Sequence, residues 1–175
     1  MNKVVQRPAT ALYPVPVVLV SCGDARPNII TLAWVGTLCS EPPMVGIAVR
    51  PSRFSHGLIR ATGEFVVNLP TVSLLSVVEQ CGTVSGRQVD KFALCGITPA
   101  PASAVRPPLI AECPLHLECR VRHTIPLGSH DLFVGEVMAV QADEALLDAR
   151  GEVDFQRAEW LCYVAGRYHR LGEHL

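Results

Sequence analysis

A chain of 175 residues, 49% of them apolar, has the size and composition of one domain, spanning 1–175, with a full hydrophobic core that needs neither disulfides nor a structural metal. Its net charge is -1, and its basic residues are scattered or gathered near one segment, so nothing points to nucleic acid or a membrane surface. The start, Met1 to Pro8, holds no apolar core of signal-peptide length and no apolar run is long enough to span a bilayer, so a soluble, cytoplasmic protein is expected.

In chain order, Pro14 to Cys22 predicts a short apolar strand, Gly23 to Asn28 a turn, and Ile29 to Thr37 a second strand forming a hairpin with the first. Pro42-Pro43 breaks the chain before a strand over Met44 to Val49. A helix follows, with Ser52 as N-cap, Phe54, Leu58 and Ile59 as its apolar face and Gly63 as its stop, and Glu64 to Leu69 returns as a strand. Leu74 to Cys81 predicts a second helix stopped by Gly82, then a polar loop runs through Gly86 and Lys91, and Pro99 to Pro108 is irregular. Strands over Leu115 to Ile125 and Leu132 to Gln141 flank a turn at Gly128-Ser129, and Trp160 to Tyr168 is the last strand. Strands dominate, and hairpins replace regular β-α-β alternation. The expected fold is therefore mainly β, a largely antiparallel, Greek-key-like barrel with a few peripheral α-helices. A doubly wound fold is disfavoured because no G-x-G-x-x-G follows the first strand.

Seven cysteines, Cys22, Cys39, Cys81, Cys95, Cys113, Cys119 and Cys162, form an odd, dispersed set without a C-x-x-C pair, as expected of reduced and mostly buried thiols. A strand over the Cys113 to Cys119 segment alternates Leu115, Leu117, Cys119 and Val121 against His116, Glu118, Arg120 and Arg122. Both cysteines then face one way and His116 the other, so no shared metal is expected.

The segment Arg50-Pro51-Ser52-Arg53-Phe54-Ser55-His56 joins a strand end to a helix start. The first turn of a helix presents unpaired N–H groups and the positive end of the dipole, and Arg50, Arg53, Ser52 and Ser55 add charge and hydroxyl donors for a phosphate. An ordinary capped helix is the other reading of the same residues. Arg53 opposes the helix dipole unless an anion sits there, which favours the phosphate.

Thr31 and Thr37 share one face of the second predicted strand and Trp34 takes the other, while Thr37-Leu38-Cys39-Ser40 ends it with free backbone groups able to read the edge of a planar heterocycle. Trp34 as a core residue and the threonines as ordinary strand formers are the alternative. Lys91 would set an ammonium against a phosphate or a ring edge, or else lie on the surface paired with Asp90. His130, at a hairpin tip, would touch a ligand or move a proton, or serve only as a turn residue. The absence of G-x-S-x-G, of a Walker-type loop and of H-E-x-x-H leaves hydrolase, nucleoside triphosphatase and zinc-protease readings without support.

Asn28 to Pro43, Arg50 to Ile59, Gly63 to Leu69 and Ser129 to Val137, in that order and spacing, resemble the flavin reductase-like family, nearest its flavoredoxin branch, over about Pro14 to Tyr168. The resemblance implies a split β-barrel that binds FMN noncovalently as a homodimer, with each flavin near the subunit interface. By position it assigns Asn28, Thr31, Trp34, Thr37, Leu38, Cys39 and Ser40 to the ring and Arg50, Ser52, Arg53 and Ser55 to the phosphate. Lys91, His130 and Tyr163 also match flavin-site positions, His130 bordering the donor pocket as the candidate catalytic residue. The family's frequent Gly-Asp-His reads Gly128-Ser129-His130 here. The implied function is an FMN-dependent oxidoreductase that takes electrons from NADH, NADPH or a protein donor and delivers them to free flavin, a ferric chelate, a monooxygenase or another protein. A flavoredoxin-type carrier with little nicotinamide activity, and a non-catalytic module binding flavin or haem, are the alternatives.

Overall fold

The computed structural model describes residues 1–173. The chain forms β1 (Val15–Pro16), β2 (Val18–Cys22), β3 (Asn28–Leu32), β4 (Val35–Ser40) and β5 (Pro43–Val49), then α1 (Phe54–Thr62) and β6 (Glu64–Leu69). After a 3-10 turn come α2 (Leu75–Thr83) and α3 (Lys91–Cys95), the short pair β7 (Pro99–Ala100) and β8 (Leu109–Ile110), the long strands β9 (Leu115–Pro126) and β10 (Asp131–Ala142), and finally β11 (Leu161–Val164) and β12 (Arg167–Arg170).

Seven strands make one sheet in the order β3-β2-β6-β9-β10-β5-β4, antiparallel at every pairing. The predicted hairpin is β2 with β3, from Cys22 opposite Asn28 to Val18 opposite Leu32. The strand predicted over Ile29 to Thr37 is two strands instead. A bend at Ala33-Trp34 separates β3 on one edge of the sheet from β4 on the other, and Ala48 N donates to Trp34 O at 3.0 Å across the bend. Two residues span only about 7 Å of extended chain, so the edges they join must lie close together, and the sheet curls into a half-barrel. The fold is thus the mainly β split barrel expected, with helices at its rim.

Apolar residues fill both sides of the curled sheet. Val18, Val20, Ile30, Ile47, Phe65 and Phe133 pack inside it, whereas Leu19, Ile29, Val78, Phe92, Ile110 and Leu161 pack under α2, α3 and β11. β2 is buried on both faces at all five positions, so its sequence shows no alternation of apolar and polar residues, and its one hydroxyl, Ser21, donates to Pro108 O. Gly135 lies at a β-bulge of β10, where a Cβ would stand 2.6 Å from the Phe65 ring.

Several expectations need correction. Cys113 precedes β9 and packs beneath the helices, while Cys119 packs inside the barrel, so the two thiols do not share a face. His116 and Glu118, on the side expected to be polar, are buried: His116 lies 2.9 Å from Asn68 Oδ1, and Glu118 accepts from Ser103, Ala104 and Gln141. Burial would raise the Glu118 pKa, but these donors outweigh it and hold the carboxyl below its usual range. Arg53, not Ser52, stands at the N-cap of α1, and no side chain caps that helix. Gly63 does close it in the left-handed conformation, at φ 69°. Gly82 lies within α2, which continues to Thr83. The loop after Gly86 ends in α3, and the last predicted strand is the β11/β12 hairpin turning at Ala165-Gly166.

Candidate functional site

The end of β5, the start of α1, the start of β3 and the segment after α2 converge on a pocket of ≈ 300 Å³ lined by Asn28, Arg50, Ser52, Arg53, Ser55 and Lys91 among others. Its floor is rigid. Asn28 and Ser55 are buried, and Asn28 Nδ2 donates to Ser55 Oγ at 2.8 Å. Gly86 closes over them so tightly that a Cβ there would stand 2.0 Å from Asn28 Oδ1.

Lys91 is not a surface residue. It is 3% exposed at the first position of α3, with Nζ donating to Ile29 O at 2.8 Å and to Cys81 O at 2.6 Å. Asp90 caps α3 through the Phe92 and Ala93 amides and does not pair with Lys91. Burial pulls the ammonium's pKa down, the Cys81 and Cys95 thiols push it back up, and the Arg53 charge lowers it further. One of its three protons has no acceptor among the described residues.

Arg50 and Arg53 reach over the same pocket, exposed and without a carboxylate partner among the described residues. Among the described residues, no acid lines the pocket. Three cations, three serines and an uncapped helix start therefore line one small hollow, where the like charges repel one another and an anion would relieve them.

Through Arg50, Arg53 and Gly82 this pocket continues into a wider groove of ≈ 810 Å³, lined by Thr31, Trp34, His130, Tyr163 and Tyr168 among others. The Trp34 and His130 rings stand 4.6 Å apart at one wall, and Tyr163 and Tyr168 meet edge-on at 5.5 Å. Trp34 is 44% exposed and so is not a core residue. Thr31 Oγ1 is engaged by Val78 O at 2.6 Å. His130 is half-buried, with Nδ1 2.9 Å from Ser129 Oγ. Burial first, then the Arg50 charge, pull its pKa below the usual histidine value, so the imidazole is neutral at pH 7.

Nine of the sequence-predicted residues thus gather in one continuous hollow with His130, namely Asn28, Thr31, Trp34, Arg50, Ser52, Arg53, Ser55, Lys91 and Tyr163. Thr37, Leu38, Cys39 and Ser40 line neither part of it; they lie on edge strand β4, with Leu38 51% exposed. Sequence reasoning missed the latches around the pocket. Arg87 donates to Ser52 O at 3.0 Å and Arg26 to Gly86 O at 3.1 Å, and both guanidinium groups lie over the Phe54 ring, at 5.8 and 5.6 Å from its centroid. His56 Nε2 lies 2.8 Å from Asp131 Oδ2 and ties α1 to the hairpin that carries His130. His56 and Asp131 each adjoin a residue singled out in the sequence, but only the pairing of β5 with β10 brings them together.

A half-barrel whose rim bears a cationic pocket opening into a broad groove defines the class first, a mainly β split-barrel protein. The chain belongs to the flavin reductase-like family, whose model, described as a flavin reductase like domain, matches residues 10–172. An uncharacterised protein of Archaeoglobus fulgidus is 38% identical over 145 residues, covering 83% of this chain and 82% of that protein. The structure is similar to that of flavoredoxin from Desulfovibrio vulgaris (Miyazaki F), with TM-score 0.93 and 32% identity over 99% of this chain and 96% of the other. It is also similar to an FMN-binding protein from Thermus thermophilus crystallised with 1-cyclohex-2-enone, with TM-score 0.81 and 27% identity over 100% and 98% of the two chains.

Proposed function

We propose that this protein holds FMN noncovalently and acts as an electron-transfer oxidoreductase, taking electrons from NADH, NADPH or a protein donor and passing them to an acceptor such as free flavin, a ferric chelate or a partner protein. The observation that carries this reading is the acid-free pocket of Arg50, Arg53 and Lys91 continuous with the groove beside Trp34 and His130. One dianionic tail and one planar ring are what such a hollow fits, and its size is in the range of cofactor sites.

Arg50 and Arg53 would hold the phosphate with the Ser52 and Ser55 hydroxyls and the start of α1. Lys91 is already immobilised by two carbonyls, so it loses little entropy on binding. Lys91 lines the small pocket and not the groove, which makes it an anchor for the phosphate rather than a partner of the ring. A bound flavin supplies a reversible two-electron acceptor. Around it, Thr31, Trp34 and Tyr163 would orient the ring, and Trp34 and His130 would shield one side of it from water. The neutral His130, whose Nε2 has no partner among the described residues, would border the donor and hold it by a hydrogen bond.

A second copy of the chain would bring Thr37 to Ser40 into use, since edge strand β4 leaves backbone groups and Leu38 uncovered. A homodimer is therefore part of the proposal, and monomeric sedimentation of the flavin-loaded protein would remove it. All seven cysteines are free thiols, which suits the reducing cytoplasm. No described helix is long and apolar enough to cross a membrane.

The likeness to flavoredoxin favours a second reading, a carrier reduced by another protein with little nicotinamide activity. The ultraviolet-visible spectrum of the freshly purified protein, followed by anaerobic titration with NADH, NADPH and a reduced protein donor, tests both. Flavin bands with bleaching by a nicotinamide support the first reading, and bleaching by the protein donor alone supports the carrier. A haem spectrum, or a colourless protein that refuses added FMN, ends the flavin assignment.

A further inference from the structure

We propose that Cys81 and Cys95 form a reversible disulfide, made by a hydroperoxide, that locks the wall of the anion pocket and slows release of its ligand. The two Sγ atoms stand 3.8 Å apart, although the residues are 14 positions apart in sequence. Cys81 lies in the last turn of α2 and Cys95 ends α3. The chain between them carries Val84, Ser85, Gly86 and Lys91 of the pocket, and Cys81 both lines the pocket and offers the carbonyl that holds Lys91. No other two thiols are in hydrogen-bond contact among the described residues.

The roles within the pair follow from exposure. Cys81 is 1% exposed, and burial and the neighbouring Cys95 push its thiol up to about 12, so it is not the first to react. Cys95 is half-buried and accessible. Its thiolate attacks the terminal oxygen of hydrogen peroxide, the O–O bond breaks, and sulfenic acid and hydroxide result. The Cys81 sulfur then attacks the sulfenic sulfur and displaces its hydroxyl, and the Cys81 proton and that hydroxide leave as water. In sum, two thiols and one peroxide give one disulfide and two waters. A disulfide needs its sulfurs about 2 Å apart, so the pair must close by about 1.8 Å, within reach of side-chain rotation at two helix ends.

In the reduced protein, the Lys91 bonds, the Arg26 and Arg87 latches and the packing of Phe92 into the core hold the 82–94 segment against the pocket without a covalent tie. A covalent tie between α2 and α3 prevents that segment from swinging out as one piece. Formation of the bond is independent of the flavin reading; its effect on ligand release rests on that reading.

The test compares the full chain after stoichiometric hydrogen peroxide with the same protein after dithiothreitol. Expected are the loss of two hydrogens by intact mass, a peptide linking Cys81 to Cys95, and severalfold slower FMN release by flavin fluorescence. Cys95→Ser, which spares the buried partner, should show no difference between the two treatments. Absence of the cross-link, or its formation between other cysteines, overturns the site. A Cys81–Cys95 bond with unchanged or faster FMN release overturns the lock. Should the protein refuse FMN, the flavin reading fails separately, and peptide mapping with a rise in Tm of about 5 °C on oxidation still decides the cross-link.

Discussion

The two ends of the hollow are built differently. At the anion end, Asn28, Ser55 and Lys91 are each no more than 3% exposed and are bonded to one another or to backbone. At the open end, Trp34 and His130 stand partly in solvent, and strand β4 beyond them is uncovered. The contrast teaches a division of labour. Rigid, desolvated donors set affinity, because they need no reordering when the ligand arrives. Under the proposed function, accessible groups would set which donor and acceptor reach the ring, because an electron-transfer partner must approach it.

Charge reversal at the anion end should have the largest effect. Arg53→Glu removes a charge-assisted donor and adds a repulsive carboxylate, and FMN affinity should fall by about 100-fold or more, measured by fluorescence titration. Unchanged affinity would take Arg53 out of the site. Next comes Lys91→Met, which leaves the carbonyls of Ile29 and Cys81 without their donor and should cost about 2 kcal/mol, or about 6 °C in Tm, besides weakening FMN by about 10-fold. An ammonium on the surface would lose neither, so this variant separates a structural anchor from a loose cation.

At the open end, His130→Ala should leave FMN affinity within about 3-fold while slowing anaerobic reduction by the physiological donor about 10-fold. Equal losses in both would erase the contrast between the two ends. The smallest effect concerns His116, buried beside Asn68 and lining neither part of the hollow. Burial lowers the His116 pKa, so the unfolded chain binds a proton that the folded chain refuses. Stability from this residue is then fully present above the unfolded value near 6.5 and is lost as pH falls toward the lowered folded pKa, at no more than about 1.4 kcal/mol per pH unit. Thermal melts from pH 7.5 to 5 should show this slope, and His116→Gln should flatten it.

Much of the anion end was legible because it is local in sequence. Arg50, Ser52, Arg53 and Ser55 lie within one strand-to-helix junction, so their chemistry can be read without knowing the fold. For Lys91 the residues alone left a phosphate or ring-edge contact open beside a surface pairing with Asp90, and family resemblance assigned it to the site; its burial was unreadable, since it depends on a carbonyl 62 residues away. The break at Ala33-Trp34 escaped periodicity for a related reason: Ile29 to Thr37 is rich in strand formers and holds no proline, and the curl of the sheet turns the chain there. Arg26 and Arg87 look like ordinary surface charges until the fold brings both over the Phe54 ring.

By itself, the sequence determined a strand-rich chain with an apolar interior, reduced thiols, and a cationic helix start suited to a phosphate, because each follows from composition or from neighbours along the chain. Tertiary structure alone decided that the two halves of one predicted strand would border opposite edges of a half-barrel, that Lys91 would point inward, and that Cys81 would meet Cys95. Those outcomes depend on which distant segments pack together, and packing is settled by burial of the whole apolar surface rather than by any local stretch.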